Sequence, residues 1–317
     1  MIKTTNNVKS FIENEQGDIV VYGAGNSGLW VGSFLKKCDI DFLCYVDKNV
    51  SDAALFMNDK PVHSLSWLIS YSNPCRIIVT PNCYKEVLTD IIKIDSRFEK
   101  QYICLIPEYN SITEKEEKYN INVMLAYFRR RLLKIELPVF ISNNCVAGHI
   151  YELTNHLQIS PTLNTGISPE DFIKLCFDIR YYLNKPLENI HMERIVYKDT
   201  NRIENYPAAN VGDIKICFVH NYNLYNVEKR WRMLTDRLDY NNICFILSDN
   251  IDNIQIDLRR KFAELKNPHY FFRNRCAFIP DGNTDNCIFL PDYIFRWTDR
   301  VIENEFDLVD WINHIYD

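Results

Sequence analysis

The stretch DIVVYGAGNSGLWVGSFLKKCDIDFLCYVDKN, residues 18–49, decides the first part of the fold. An apolar strand ends at Tyr22, a glycine-rich turn follows, and a helix leads from the turn to a second apolar strand. The turn carries the complete G-x-G-x-x-G pattern at Gly23, Gly25 and Gly28. The first glycine permits a tight turn, the second lets a phosphate approach the backbone, and the third lets helix and strand pack closely.

This turn predicts a Rossmann-like unit with a place for an anionic ligand. A helix that begins at such a turn presents free amide groups and the positive end of its dipole to a phosphate. Asp47 ends the second strand, where a carboxylate would accept a hydrogen bond from a ribose hydroxyl. The cofactor stays unknown: a nucleotide or nucleotide-sugar is one reading, and a module that has lost its ligand is the other. The candidate cofactor-binding residues are Gly23, Gly25, Asn26, Ser27, Gly28 and Asp47.

The alternation of strands and helices continues along the chain and predicts an α/β protein with two domains. RIIVT (76–80) and YICLI (102–106) read as further strands, which favours a parallel sheet. The charged segment PEYNSITEKEEKYN (107–120) then interrupts the pattern. We therefore predict a small Rossmann-like nucleotide-binding domain over residues 1–115. A second α/β domain with a mainly parallel sheet is predicted over residues 116–317.

Composition excludes several classes of protein. The chain has 317 residues, of which 47% are apolar and 13% aromatic, so it can form a sizeable core and is not disordered. The net charge of −6 and the lack of a Lys/Arg block argue against a nucleic-acid partner. The 11 cysteines form no C-x-x-C pair, and no apolar run is long enough to span a membrane. A cytoplasmic protein with free thiols is expected, and the sequence leaves its oligomeric state open.

Three apolar runs of the second half each end in a short polar cluster. PVFI, ICFV and ICFIL are followed by SNNC, HN and SDN. Ligands bind at the carboxyl ends of strands in open α/β sheets, so we predict one shared cleft there, formed by adjacent parallel strands. His220 is the best general-base candidate because an imidazole titrates near neutral pH. The predicted catalytic residues are His220 and Asp249, and the predicted substrate-binding residues are Ser142, Asn143, Asn144, Cys145, Asn221 and Arg237.

A helix that begins at Cys145 would carry two neighbouring rows of side chains. The predicted core row is Val146, Ile150, Leu153 and Leu157. The row beside it holds residue types that bind zinc, but it extends about 16 Å along the helix, so one ion cannot bind all of it and we assign no metal. That second row is Cys145, His149, Glu152 and His156.

Cys145 itself has several readings. At a helix N-terminus its thiol pKa should fall, which would suit a nucleophile. The sequence places no base beside it, however, and the neighbouring Asn143 and Asn144 suit helix capping or ligand binding. We predict that Cys145 is structural or faces a ligand.

Two resemblances concern function. VVYGAGNSG, LKKCDIDFLCYVDKN, KPVHSLSWL and RIIVT resemble small N-terminal modules beside sugar-modifying enzymes of bacterial surface-polysaccharide pathways, some of which hold a nucleotide-sugar. FISNNCVAGHIYELTNHLQISPTLNTGISPEDFIKLCFDIRYYL and YPAANVGDIKICFVHNYNLYNVEKRWRMLTDRL resemble an uncharacterised bacterial family labelled exopolysaccharide biosynthesis protein. Ala147-Gly148 departs from the more glycine-rich or aromatic turn of that family. The matching family positions are Ser142, Asn143, Asn144, Cys145, Ser160, Pro161, Thr162, Tyr206, Pro207, Asp213, His220, Trp231 and Arg237.

These resemblances imply a cytoplasmic transferase of bacterial exopolysaccharide or capsule biosynthesis that acts on a nucleotide-sugar or a glycan intermediate. Two alternatives stay open. The glycine turn also suits an NAD(P)-dependent oxidoreductase, although no second nucleotide-binding half and no substrate-side acid are evident. The third reading is a non-catalytic ligand-binding protein of the same pathway.

Overall fold

The computed structural model describes residues 8–14, 16–50, 55–81, 83–94, 102–104, 121–196, 202–219, 224–248, 254–274, 287–290 and 307–316. The chain divides into two compact units. The first comprises Met1–Leu133 and Leu153–Asn155, and the second Lys134–Glu152 and His156–Asp317. The predicted domain boundary after residue 115 lies outside the described residues.

The first unit contains a sheet with helices on both faces. Its elements, after a short π-helix at Ser10–Asn14, are β1 (Asp18–Tyr22), α1 (Asn26–Lys37), β2 (Cys44–Val46), β3 (Leu55–Met57), β4 (Lys60–His63), α2 (Leu65–Ser70), β5 (Cys75–Val79), α3 (Tyr84–Ile94), β6 (Tyr102–Cys104) and α4 (Ile121–Leu132).

The strand order of this sheet is β3-β4-β2-β1-β5-β6. All neighbours are parallel except β3 and β4, which form a hairpin. Asn58 and Asp59 form the hairpin turn with φ values of 50° and 63°, as a tight turn between twisted strands requires. Val21 faces the core beneath α1 and α4, whereas Val20 faces the core that contains Leu68 of α2. The parallel strands predicted for this part of the chain are confirmed.

The second unit combines two sheets. Its elements are β7 (Val139–Ser142), α5 (Val146–Leu153), β8 (Gly166–Ile167), α6 (Pro169–Phe177), α7 (Ile179–Leu183), β9 (Glu188–Val196), β10 (Ile203–Val211), β11 (Ile214–Cys217), α8 (Leu224–Thr235), β12 (Ile243–Ser248), α9 (Ile256–Ala263), β13 (His269–Asn274), β14 (Cys287–Leu290) and α10 (Leu308–Asn313).

The predicted parallel sheet is present in this unit, but an antiparallel sheet that was not predicted accompanies it. One sheet, β14-β13-β12-β7, is parallel, and the other, β8-β11-β10-β9, is antiparallel. Only Gly212 and Asp213 separate β10 from β11, and Gly212 has a φ of +60°. So short a connection can join only antiparallel strands, because a parallel pair needs a crossover of a dozen or more residues.

The core of the second unit lies where the two sheets contribute to one apolar cluster. Phe245 and Leu247 of β12 share this cluster with Ile214 and Ile216 of β11. On the opposite face of the parallel sheet, Trp311 of α10 packs on Phe140 and Phe272 with ring centroids 5.8 and 5.4 Å apart. Helix α10 is therefore a part of the core. Within the described ranges, no helix has the length and apolar character needed to cross a membrane.

Candidate functional site

The outer glycines of the turn after β1 are required by the fold. Gly23 has a φ of +107°, and a Cβ there would lie 2.5 Å from Oγ1 of Thr80. That hydroxyl donates a hydrogen bond to the Tyr22 carbonyl at 2.9 Å. A Cβ on Gly28 would lie 1.9 Å from the carbonyl oxygen of Gly23. Both positions therefore exclude a side chain whether or not a ligand is bound.

The middle glycine is different. Gly25 is exposed, adopts φ −93° and ψ −169°, and a Cβ built on it would meet nothing within 4 Å. It is the N-cap of α1, and because it has no side chain, it cannot cap the amides of the first turn. That turn also contains no acidic residue. Asn26 at the start of α1 is exposed, whereas Ser27 is buried. The amide end of α1 thus opens onto free space at Gly25.

The carboxylate of Asp47 holds the glycine turn. Its Oδ2 accepts a hydrogen bond from the Ala24 amide at 2.9 Å, and its Oδ1 accepts one from the Asn49 amide at 2.9 Å. Burial, assisted by the charge of Asp47, raises the pKa of the nearby Tyr22 to about 12. Asp47, which we predicted to bind a ribose, therefore lies at the turn. Each of its carboxylate oxygens accepts one hydrogen bond from a backbone amide.

Sequence reasoning missed a stack of aromatic rings at the same sheet. His63, the last residue of β4, stacks on Trp67, and Trp67 stacks on Tyr71. The signal was present as three aromatic side chains at intervals of four residues in the segment 63–71. A spacing of four residues is by itself typical of neighbouring side chains on one face of a helix.

In the second unit, β7 and β12 are adjacent and parallel, as predicted. The side-chain amide of Asn143 joins their carboxyl ends. Its Nδ2 donates to the Ser248 carbonyl at 3.0 Å, and its Oδ1 accepts from the Ser248 amide at 2.8 Å. Asn143 is buried, so this pair of bonds extends the strand pairing by one step in the interior.

Ser142 and Asn144 cap the helix that follows. Ser142 Oγ accepts a hydrogen bond from the Ala147 amide at 3.2 Å and donates one to the Asn144 carbonyl at 2.6 Å. Asn144 Oδ1 accepts from the Val146 amide at 3.1 Å. Of the two asparagines expected to cap the helix or bind a ligand, Asn144 caps it and Asn143 joins two strands instead. Two of the amides at the start of α5 thus have side-chain partners.

Cys145 does not have the lowered thiol pKa that its place at a helix N-terminus predicts. It is partly exposed, but burial, with the Glu152 carboxylate as a second cause, raises its pKa to about 11. The loss of water around the thiolate raises the pKa more than the helix dipole lowers it. Two amides at this end of the helix already donate to Ser142 and Asn144. The thiol is neutral near pH 7.

The row of metal-ligand types ends early because α5 ends at Leu153. Asn155 has a φ of 51°, and the His156 amide donates to the Tyr151 carbonyl at 2.9 Å. This is the helix ending in which a left-handed residue closes the last turn. Leu157 therefore leaves the helix and is 73% exposed, so its predicted place in the core is wrong. Among the described residues, no group of three or more potential ligands surrounds a metal position.

The predicted catalytic residues His220 and Asp249, with Asn221, lie outside the described residues. The strand before His220, β11, belongs to the antiparallel sheet, so the prediction of three neighbouring parallel strands is wrong for it. The two sheets nevertheless meet at Asn143, whose carbonyl accepts from the Ile167 amide of β8 at 2.9 Å. Arg237 is exposed after α8.

A family model described as "Domain of unknown function (DUF1919)" matches residues 112–313, more than half of the chain. The chain belongs to the DUF1919 family. An uncharacterised protein of Haemophilus influenzae is 24% identical over 213 residues, which are 64% of this chain and 96% of that protein. The predicted membership of an uncharacterised bacterial family is confirmed. The Asn143–Ser248 strand ends lie within the DUF1919 region, whereas the glycine turn at residues 23–28 precedes it.

Proposed function

We propose that this chain is a transferase of bacterial exopolysaccharide or capsule biosynthesis that binds a nucleotide-sugar at the glycine turn and modifies a glycan intermediate. The observation that carries the proposal is Gly25. Its backbone dihedral angles suit any residue, and its missing side chain faces open space. Packing therefore does not account for a glycine here, whereas a phosphate that approaches the backbone does.

The start of α1 supports the binding of an anion. The helix has 12 residues, its first turn has no acidic side chain, and Gly25 provides no side-chain cap. The first amides of a helix have no intrahelical acceptor, and the positive end of the dipole lies beside them. A diphosphate of a nucleotide-sugar would bring a compensating negative charge to this end of the helix.

The sheet of the first unit favours a nucleotide-sugar over a dinucleotide. A complete dinucleotide-binding sheet has three strands on the far side of the first strand. Within the described residues, only β5 and β6 lie on that side of β1. The similarity of this segment to modules beside sugar-modifying enzymes supports the same choice and is the basis for naming the pathway.

The second unit contains a cluster of buried, neutral hydroxyl groups. Ser160, Thr162 and Thr165 are buried near the end of β7, and Thr162 Oγ1 accepts from the Ser142 amide at 3.0 Å. Ser248 Oγ is buried and has no hydrogen-bond partner among the described residues. An orphaned hydroxyl of this kind is normally satisfied by water, an ion or a ligand.

A thermal-shift and turnover experiment tests the proposal. The full chain is melted with UDP-N-acetylglucosamine, UDP-glucose, UDP, NAD, NADP and acetyl-CoA, and UDP release from the two sugars is followed. A nucleotide-sugar should raise the parent melting temperature, and Gly25→Val should lose that shift while melting near the parent without ligand. A shift with NAD or NADP alone would support an oxidoreductase instead. Equal shifts of the melting temperature in parent and variant would show that the glycine turn does not bind the ligand.

A further inference from the structure

Three aromatic rings form a continuous stack along one edge of the first unit. The rings of His63 and Trp67 have centroids 4.3 Å apart and planes at 9°, and those of Trp67 and Tyr71 are 4.9 Å apart at 25°. All three side chains are partly exposed. We call His63, Trp67 and Tyr71 the aromatic ladder.

The far end of the ladder is held in place. The Tyr71 hydroxyl donates to the Asp18 carboxylate and accepts a hydrogen bond from Asn73 Nδ2. Trp67 and Tyr71 also pack against the apolar core that contains Leu68, so one side of the ladder is anchored. The ladder rings are therefore fixed in position without being enclosed, and a planar ligand would meet a surface that needs no further ordering.

The near end of the ladder lies at the same strand edge as the glycine turn. His63 is the last residue of β4, and its carbonyl accepts from the Asp47 amide at 2.9 Å. Asp47 in turn accepts from the Ala24 amide in the turn. The strands β1, β2 and β4 are consecutive neighbours and parallel. His63 is thus two strand spacings, about 10 Å, from the turn.

We propose that the aromatic ladder is the nucleobase platform of the nucleotide that the glycine turn binds. The inference rests on the proposed function, because it requires a nucleotide in the first unit. The phosphates lie at Gly25, the ribose passes Asp47, and the base stacks against the imidazole of His63. Every purine and pyrimidine has a flat π-face, so the platform selects nucleotides over sugar phosphates without reading the identity of the base.

Isothermal titration of the full chain with UDP, ADP and ribose 5-phosphate tests this assignment. Ribose 5-phosphate is an anion with a ribose but no base. His63→Leu should weaken UDP and ADP binding by about fivefold to a hundredfold, the usual effect of losing one stacked base. Its affinity for ribose 5-phosphate should equal that of the parent. His63→Phe, which keeps a flat ring, should bind all three ligands as the parent does.

Phe56→Ala serves as the matched control, because Phe56 is a 69% exposed aromatic residue of the same sheet outside the ladder. It should not change any of the three affinities. If the parent binds nucleotides and His63→Leu binds them equally well, the ladder assignment fails while the proposed function stands. If His63→Leu weakens ribose 5-phosphate as much as UDP, His63 only supports the turn, and the assignment also fails. A parent that binds no nucleotide overturns both proposals. Should His63→Leu fold poorly, Trp67→Leu with the same ligands replaces it.

Discussion

Asn143 and Ser248 are 105 residues apart in sequence, and the side-chain amide of one makes both of its hydrogen bonds with the backbone of the other. The bonds join the carboxyl ends of β7 and β12 inside the protein. A buried amide or carbonyl without a partner costs free energy, so this single side chain stabilises the edge at which the two strands end.

Asn143→Leu should reduce the free energy of unfolding of the second unit by about 2–4 kcal/mol. The change leaves the Ser248 amide and carbonyl buried and unsatisfied, each at about 1–3 kcal/mol. Urea unfolding monitored by circular dichroism measures the effect. Asn144→Ala is the matched control, because it removes only a helix-capping bond and should cost about 1 kcal/mol. Equal losses for the two variants would contradict the special position of Asn143.

Ser248→Ala should leave the melting temperature of the ligand-free chain unchanged or slightly higher. The hydroxyl is buried and makes no hydrogen bond with the described residues, so its removal relieves a desolvation cost. Ser160→Ala should instead lower the melting temperature, because Ser160 Oγ accepts from the Thr162 amide at 3.3 Å. A clear destabilisation by Ser248→Ala would mean that the hydroxyl has a partner in the folded chain.

Gly25→Ala and Gly28→Ala should differ sharply in stability. An alanine Cβ at position 28 would overlap the Gly23 carbonyl oxygen, which is backbone and cannot move aside, so a loss of about 3 kcal/mol or more is expected. At position 25 the space is open, and replacing the glycine N-cap by alanine, a poorer cap, should cost about 1 kcal/mol. Thermal melts of the two variants provide the comparison. Similar melting temperatures would show that Gly28 is not packed as described.

Cys145 should react slowly with iodoacetamide near neutral pH. Burial and the Glu152 carboxylate raise its pKa to about 11, so the reactive thiolate is scarce at pH 7 and its fraction grows about tenfold per pH unit until the pKa is reached. Peptide mass spectrometry after labelling at several pH values measures this rate. Cys83, an exposed thiol, provides the comparison within the same chain. Fast labelling of Cys145 at pH 7 would restore the nucleophile hypothesis. Once an activity is known, Cys145→Ser should keep most of it.

The Asp213 carboxylate should stabilise the second unit at neutral pH and lose this effect in acid. The Tyr182 hydroxyl and the Lys174 ammonium bond to it at 2.8 and 3.1 Å, and these bonds hold its pKa below the usual value. A lowered pKa gives stability that is present above the unfolded-state pKa near 4 and is lost as the pH falls through the lower folded-state pKa. Asp213→Asn should therefore melt below the parent at pH 7 and approach it below about pH 3.

Asp236→Asn, a change at an exposed carboxylate after α8, is the control for this pH series. Its melting temperature should follow the parent curve at every pH. If Asp213→Asn also follows the parent curve, the hydrogen bonds of Asp213 contribute nothing to stability.

Local patterns in the sequence were sufficient for much of the fold. The glycine turn, the strands that flank it and the apolar run before Ser142 depend on nearest neighbours and on side-chain periodicity, and all appear in the structure. The parallel pairing of β7 and β12 agrees with the expectation of adjacent parallel strands, although the connection between them contains the whole antiparallel sheet.

Three errors arose where distant contacts or solvation compete with the local pattern. The strand before His220 was placed in the parallel sheet, although the two-residue turn at Gly212 pairs it with β10 instead. Leu157 was placed in the core, although Asn155 ends the helix two residues earlier. The thiol pKa of Cys145 was expected to fall, although burial raises it.

The amino-acid sequence alone was enough to place a glycine turn after β1 and polar residues after the strands of the second half, because both depend on the order of neighbouring residues. It could not show that neighbouring atoms occupy the space where a Cβ of residue 23 or 28 would lie, whereas the space beside Gly25 is empty of the described atoms. Nor could it show that Asn143 bonds to Ser248 or that His63 stacks on Trp67 at a strand edge. Those relationships depend on which groups come into contact after folding and on how much water remains around them. Both are set by residues far apart in sequence, so no single stretch of the chain determines them.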